Sequence, residues 1–171
     1  MTLAHVLDSS GLLWISCSDC PLPADLVQQT SGNALLLHQT IANLVLPGDI
    51  NSMSILQYAV DIRKMKQIVV CGHYGCHLVK LAFHNMGSDL VGHWLEPVRQ
   101  IVQQRQELLA TLPDETARIS FVCEENVRAQ VANVENSSVV RKARDAGQEI
   151  QVHGWIYDAQ DKTLRDLIRG Q

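Results

Sequence analysis

Three side chains in this sequence have the types and spacing to hold a metal ion. His73 and Cys76 stand three apart in Gly72-His73-Tyr74-Gly75-Cys76, and Cys17 lies far upstream in Cys17-Ser18-Asp19-Cys20. Two thiolates and one imidazole suit Zn2+, which takes sulfur and nitrogen ligands at ~2.0–2.3 Å in tetrahedral geometry. Three protein ligands leave one position for water, whose pKa such an ion lowers toward ~7. The H-x-x-C spacing alone fits a small buried cysteine beside a hydrogen-bonded histidine better than a ligand pair, and it is the position after strands that favours ligands. Cys20 adds two rival readings. With the other three it would complete a closed Cys3His structural site. With Cys17 alone it would form a C-x-x-C thiol–disulfide pair. A Cys20 that takes no part is the plainest reading.

The elements around these residues decide whether they can meet. Leu12-Leu13-Trp14-Ile15-Ser16 is a short apolar run that predicts a buried strand ending at Cys17. Pro21 and Pro23 mark a turn, and residues 23–27 could open a helix. Residues 33–38 form a second apolar run, and 47–49 a loop. Ile55, Leu56, Ala59, Val60 and Ile62 predict a helix over 51–66. Gln67-Ile68-Val69-Val70-Cys71 is continuously apolar after its first residue, the pattern of a strand covered on both faces, and Gly72 breaks it. Leu95 to Leu109 predict one long helix ending near Pro113. Residues 119–123 read as another strand. Val127, Val131 and Val134 lie along a helix, and Ser138 is a candidate cap for a last helix stopped by Gly147. Residues 149–157 alternate as a strand, with a turn over 158–162.

Strands alternating with helices predict an α/β domain on a mostly parallel sheet, flanked by helices and spanning 1–171 as one unit. In such sheets, sites form outside the carboxyl ends of strands. Two such ends side by side would bring Cys17, His73 and Cys76 together, with Gly72 and Gly75 easing the loop between them.

Composition excludes several classes. Hydrophobic residues at 46% and charged residues at 19% mark a globular chain. A formal net charge of -4 argues against nucleic acid or an anionic membrane as the main partner. No window approaches the ~18 consecutive apolar residues of a membrane helix. Met1 to Ser10 contain no Lys or Arg and no long apolar run, so no secretory signal or transit peptide is expected and a cytoplasmic location follows. Five cysteines are too few and too odd in number for a disulfide framework, and in that compartment they stay reduced.

The motifs also carry a family resemblance. Trp14-Ile15-Ser16-Cys17-Ser18-Asp19 resembles the C-x-D-x-R segment of the β-class carbonic anhydrases, and Val69 through Cys76 resembles their G-H-x-x-C segment. Similarity continues through Ile41-Ala42-Asn43, Ser54-Ile55-Leu56-Gln57-Tyr58-Ala59-Val60, Trp94-Leu95, Glu125-Asn126-Val127 and Val152-His153-Gly154-Trp155-Ile156-Tyr157, in the family's order. The resemblance implies Zn2+ held by Cys17, His73 and Cys76, reversible hydration of CO2 to bicarbonate, and a homodimer as the building unit, with larger assemblies open. Relatives that hydrolyse carbonyl sulfide or carbon disulfide keep that alternative open too.

Five positions depart from the family pattern. In the family an Arg holds the Asp carboxylate off the metal; here Asp19 fills the Asp position but Pro21 stands in place of the Arg. Gln39-Thr40 replaces Arg-Asn, His77 replaces a Gly, and Cys20 replaces a Ser. An unrestrained carboxylate near Zn2+ is expected to coordinate it. Asp19 is therefore expected as catalytic residue and fourth ligand at once, closing the site and leaving the enzyme slow or a zinc-binding scaffold. His77 could substitute in part for the Arg or shuttle protons, against the plainer view of a solvent-exposed loop side chain.

Overall fold

The computed structural model describes residues 11–21, 23 and 35–168. Five strands lie in the order β2-β1-β3-β4-β5. They are β1 (Leu12–Cys17), β2 (Leu35–Thr40), β3 (Gln67–His73), β4 (Gln151–Asp158) and β5 (Thr163–Asp166). The helices in chain order are α1 (Ile50–Gln57), α2 (His77–Phe83), α3 (Asp89–Trp94), α4 (Glu96–Gln104), α5 (Gln106–Thr111), α6 (Glu115–Glu135) and α7 (Ser138–Asp145). The first four strands run parallel; β5 pairs antiparallel with β4. The expected mostly parallel α/β architecture is present.

Burial follows strand position. Every residue of β1 and β3 is buried, as two-sided cover by helices requires. Outer strands β2 and β5 alternate toward solvent. Trp14 and Trp155 pack edge to face across the sheet, centroids 5.9 Å apart. The chain leaves β1 toward β2, then crosses back so that β3 flanks β1 on its other side. That reversal opens a crevice at the carboxyl ends of β1 and β3, where ligands bind in open α/β sheets.

Helix α6 is the main support beneath the site. Asp114 caps it, accepting from Ala117 N at 2.8 Å. Its buried residues Ile119, Val122, Cys123, Asn126, Val127, Gln130, Val131 and Val134 recur at helical spacing. Residues 119–123, expected as a strand, are therefore helix. Their run of apolar side chains is the start of a stripe that continues to Val134, and a local window cannot separate the two. Asn126 and Gln130 are buried polar residues of that stripe. Asn126 Nδ2 donates to Ala42 O (2.8 Å), and Gln130 Oε1 accepts from Val45 N (3.0 Å). They satisfy the main chain where Ala42 and Asn43 adopt left-handed φ of 57° and 48°.

Other boundaries also shift. The helix expected over 51–66 is α1 followed by a wide turn, with Arg63 N bonded to Tyr58 O (2.9 Å). The long helix expected from Leu95 is broken at Arg105 into α4 and α5. The cap of α7 is Ser137, one residue earlier than expected; its hydroxyl accepts from Val140 N. Strand β5 has no counterpart in the sequence reading: its four residues are too few for a periodic signal. Of the helix expected over 23–27, only Pro23 is among the described residues, and residues 33 and 34 lie outside them.

Gly72 sits inside β3, extended, and its value is space rather than φ. A Cβ there would lie 2.6 Å from Val127 Cγ2 and 3.2 Å from Ile156 Cδ1. We expect Gly72→Ala to cost about 1–3 kcal/mol by overpacking. Adding Val127→Ala should relieve part of it, so that the double variant is less destabilised than the sum of the singles in urea denaturation.

Candidate metal centre

Cys17 is the last residue of β1 and His73 the last of β3, with Ser16 and Cys71 paired between the two strands. His73 therefore ends the strand rather than opening the loop, two residues beyond the expected boundary. Tyr74 N continues the ladder by donating to Tyr157 O (3.0 Å). Gly75 then takes φ +71°, a left-handed turn that glycine adopts without strain, and delivers Cys76 at the start of α2.

The ligand atoms of Cys17, His73 and Cys76 all lie within 4.8 Å of one another. The two sulfurs are 3.8 Å apart. All three residues are buried, and His73 Nε2 has no hydrogen-bond partner among the described residues. A buried nitrogen left unpaired beside two sulfurs is costly unless something else occupies it. A divalent cation with nitrogen and sulfur preference fits that gap, and Zn2+ fits the donor set best.

The sulfur pair is electrostatically matched to a cation. The hydrogen bond from Cys76 holds Cys17 below the usual thiol range, against the upward push of burial, with the His73 ring and the Asp19 N–H acting in the same downward sense. Cys76 moves up, first through that same bond and then through burial. Without a metal the pair thus shares one proton. Asp19 N also donates to Cys17 Sγ at 3.3 Å.

Asp19 is not one of this close group. Its Oδ2 accepts from His77 N (3.1 Å) and stands 3.7 Å from His77 Nδ1. The His77 side chain is 84% exposed. Pro21 offers no donor. Gln39 reaches the site's main chain instead, with Nε2 donating to Cys17 O (3.3 Å). A cleft of about 400 Å3 opens beside Ser18, Gln39, Thr40, Ile41 and Trp94. A smaller one of about 200 Å3 passes Gly75, Cys76, His77 and Lys80.

Cys20 lies outside the three-ligand group as well. Burial first, then the negative charge of Cys17 and Asp19, pushes it up to about 12, and its thiol donates to Pro21 O (3.3 Å). Its sulfur stands apart from the three close ligand atoms and is turned to a main-chain carbonyl. Cys71, buried in β3, is pushed well up by desolvation. Cys123, expected in a strand, lies in α6, and burial pushes it up to about 12. Trp155 is core, whereas Tyr58 is 40% exposed. Sequence reading missed a contact of the segment between His73 and Cys76 with α6. Tyr74 donates its hydroxyl to Glu124 Oε1 at 2.6 Å, and burial, then the Glu124 bond and charge, push it up to about 12. Fifty positions separate the two in sequence, and nothing local links them.

Fold and site together define a class: an α/β protein with a Cys2His group able to hold a metal at the switch point of a mostly parallel sheet. A family model described as carbonic anhydrase matches residues 12–164. The Emericella nidulans carbonic anhydrase is 33% identical over 159 residues, spanning 93% of this chain and 70% of the relative. That of Candida albicans is 34% identical over 156 residues, spanning 88% of this chain and 53% of the relative. The Coccomyxa β-carbonic anhydrase structure, in complex with acetazolamide, superposes with a TM-score of 0.84 at 31% identity, covering 92% of this chain and 72% of that one. The chain belongs to the β-carbonic anhydrase family.

Metal analysis of purified protein should find about one zinc per chain, with Cys17→Ser, His73→Ala or Cys76→Ser each reducing it to a small fraction. Cys20→Ser should retain full zinc; its loss there would instead indicate a Cys3His site.

Proposed function

We propose that this chain carries out zinc-dependent reversible hydration of CO2 to bicarbonate, slowly at neutral pH because Asp19 has no arginine partner among the described residues. The observation that carries the reading is the buried triad of Cys17, His73 and Cys76, with His73 Nε2 unpaired between neighbouring strand ends. Bound zinc would supply Lewis acidity and a lowered pKa for a water in the position the protein leaves open.

The chain's own residues divide the remaining work. The two sulfurs bring negative charge that offsets the dication and weakens its acidifying power. The Asp19 N–H on Cys17 Sγ draws off part of that charge. The Asp19 carboxylate is placed to accept a hydrogen bond from a neighbouring donor and so orient it. Its restraint is one main-chain bond from His77, with the imidazole 3.7 Å away, where a bidentate guanidinium would give two charge-assisted bonds. A carboxylate held by a single neutral donor can swing to the metal and become a fourth ligand. The same Pro21 substitution favours a second reading, a zinc-binding scaffold of this fold with no turnover.

The homodimer belongs to the proposal too. Strand β2 is one of the two outer strands of the sheet among the described residues and carries Leu37 at 44% exposure, while Ile50 and Leu90 are largely exposed. A second copy is the occupant we assign to this region. No helix among the described residues is long and apolar enough to cross a membrane. The free cysteines suit the reducing conditions of a cytoplasm, which we adopt as the location.

Stopped-flow CO2 hydration across pH, on wild type beside Pro21→Arg, tests the reading. Pro21→Arg should gain about tenfold or more at neutral pH, the scale on which a carboxylate-orienting partner acts on a metal site. A wild type as fast as the variant at neutral pH would refute the account of Asp19. Zinc-loaded wild type without turnover at any pH would leave the scaffold reading.

A further inference from the structure

Only Tyr74 and Gly75 lie between the two ligands His73 and Cys76. Gly75 has no side chain, and nothing lies within 4 Å of where one would begin. Tyr74 is therefore the one side chain through which this connection can be tied to the body of the protein. It is tied on three sides. Its N–H bonds Tyr157 O on β4 (3.0 Å). Its hydroxyl donates to Glu124 Oε1 on α6 (2.6 Å). The Arg165 guanidinium of β5 lies 5.7 Å from its ring centroid.

The partners are themselves anchored. Arg128 bridges Glu124 (3.3 Å) and Glu125 (2.9 Å), and Arg105 Nε closes on Glu125 (2.7 Å). Arg165 pairs with Asp158 (3.7 Å) and Asp161 (3.4 Å). Side chains far from the sulfurs thus converge on a phenol one residue from His73 and two from Cys76.

We propose that Tyr74 and Glu124 are positioning residues for the metal: their hydrogen bond holds the turn that aims His73 and Cys76 at one ion. The proposal rests on the metal-centre reading above. Partners that orient metal ligands are worth about 10- to 100-fold in metal affinity. The hydroxyl acts through the ligands and touches neither ion nor substrate.

The test is zinc release to a chromophoric chelator, together with the visible spectrum of the cobalt-substituted protein. Tyr74→Phe and Glu124→Ala should each release zinc about tenfold faster and alter the cobalt bands. Combined, they should do no more than either alone. Glu124→Gln keeps an acceptor oxygen and should stay within about twofold of wild type, a rescue that a purely packing role would not produce. A wild type that binds no stoichiometric zinc sinks the metal reading itself. A wild type that holds zinc, with Tyr74→Phe releasing it at the wild-type rate or Glu124→Gln failing like Glu124→Ala, overturns this inference alone.

Discussion

The sulfur atoms of Cys17 and Cys76 come from positions 59 residues apart and stand 3.8 Å from each other, closed to solvent. Two thiolates at that distance repel strongly in a medium of low dielectric, so in the absence of a cation only one can ionise. The opposed shifts of the two thiols express that conflict. A dication removes it: two negative sulfurs and a neutral imidazole bring Zn2+ to a formal charge of zero. Most of the architecture serves to impose this proximity. The crossover that places β3 beside β1, the fully buried central strands and the close seat of Gly72 on Val127 all bring two strand ends to one point.

Much of this was legible in the sequence because its signals were local. A continuous apolar run in β1 and another in β3, each followed at once by a ligand-type residue, suffice to place Cys17 and His73 at strand ends. The motif resemblance supplied the pairing that spacing alone could not. What was misread depended on context beyond a short window. Ile119 to Cys123 look like a strand because β-branched and aromatic residues crowd there, yet Asp114 caps a helix that carries them. Gly72 looked like a conformational hinge and is instead a packing vacancy, since only the approach of Val127 and Ile156 shows what a Cβ would meet. The Tyr74–Glu124 bond, and the use of the His77 amide rather than its ring, were invisible for the same reason.

The site has a firm side and a soft side. On the firm side, His73 is locked by the β4 ladder and the connection to Cys76 by Tyr74. Cys17 is equally firm: Ser18 N bonds Thr40 O (2.9 Å), Cys20 N bonds Cys17 O (3.1 Å), and Gln39 reaches the same carbonyl. Ligand geometry therefore depends on main-chain bonds and buried packing, which solvent and salt disturb little.

The soft side is the Asp19 carboxylate. It is 39% exposed, and its bonding partners are a main-chain N–H and a solvent-facing imidazole. A neutral amide restrains a carboxylate by less than a paired guanidinium does, whereas a nearby dication attracts it with full charge. In the proposed function, the balance between those two pulls would set whether the fourth position is open. It would be settled within a few ångströms by Asp19, Pro21 and His77, with the ligands and the sheet beneath fixed. The fold can thus be wholly that of its family while, in the function proposed above, turnover would be governed by a single side chain, because the groups that would bind the metal and the group that would compete for it are held by different kinds of bond.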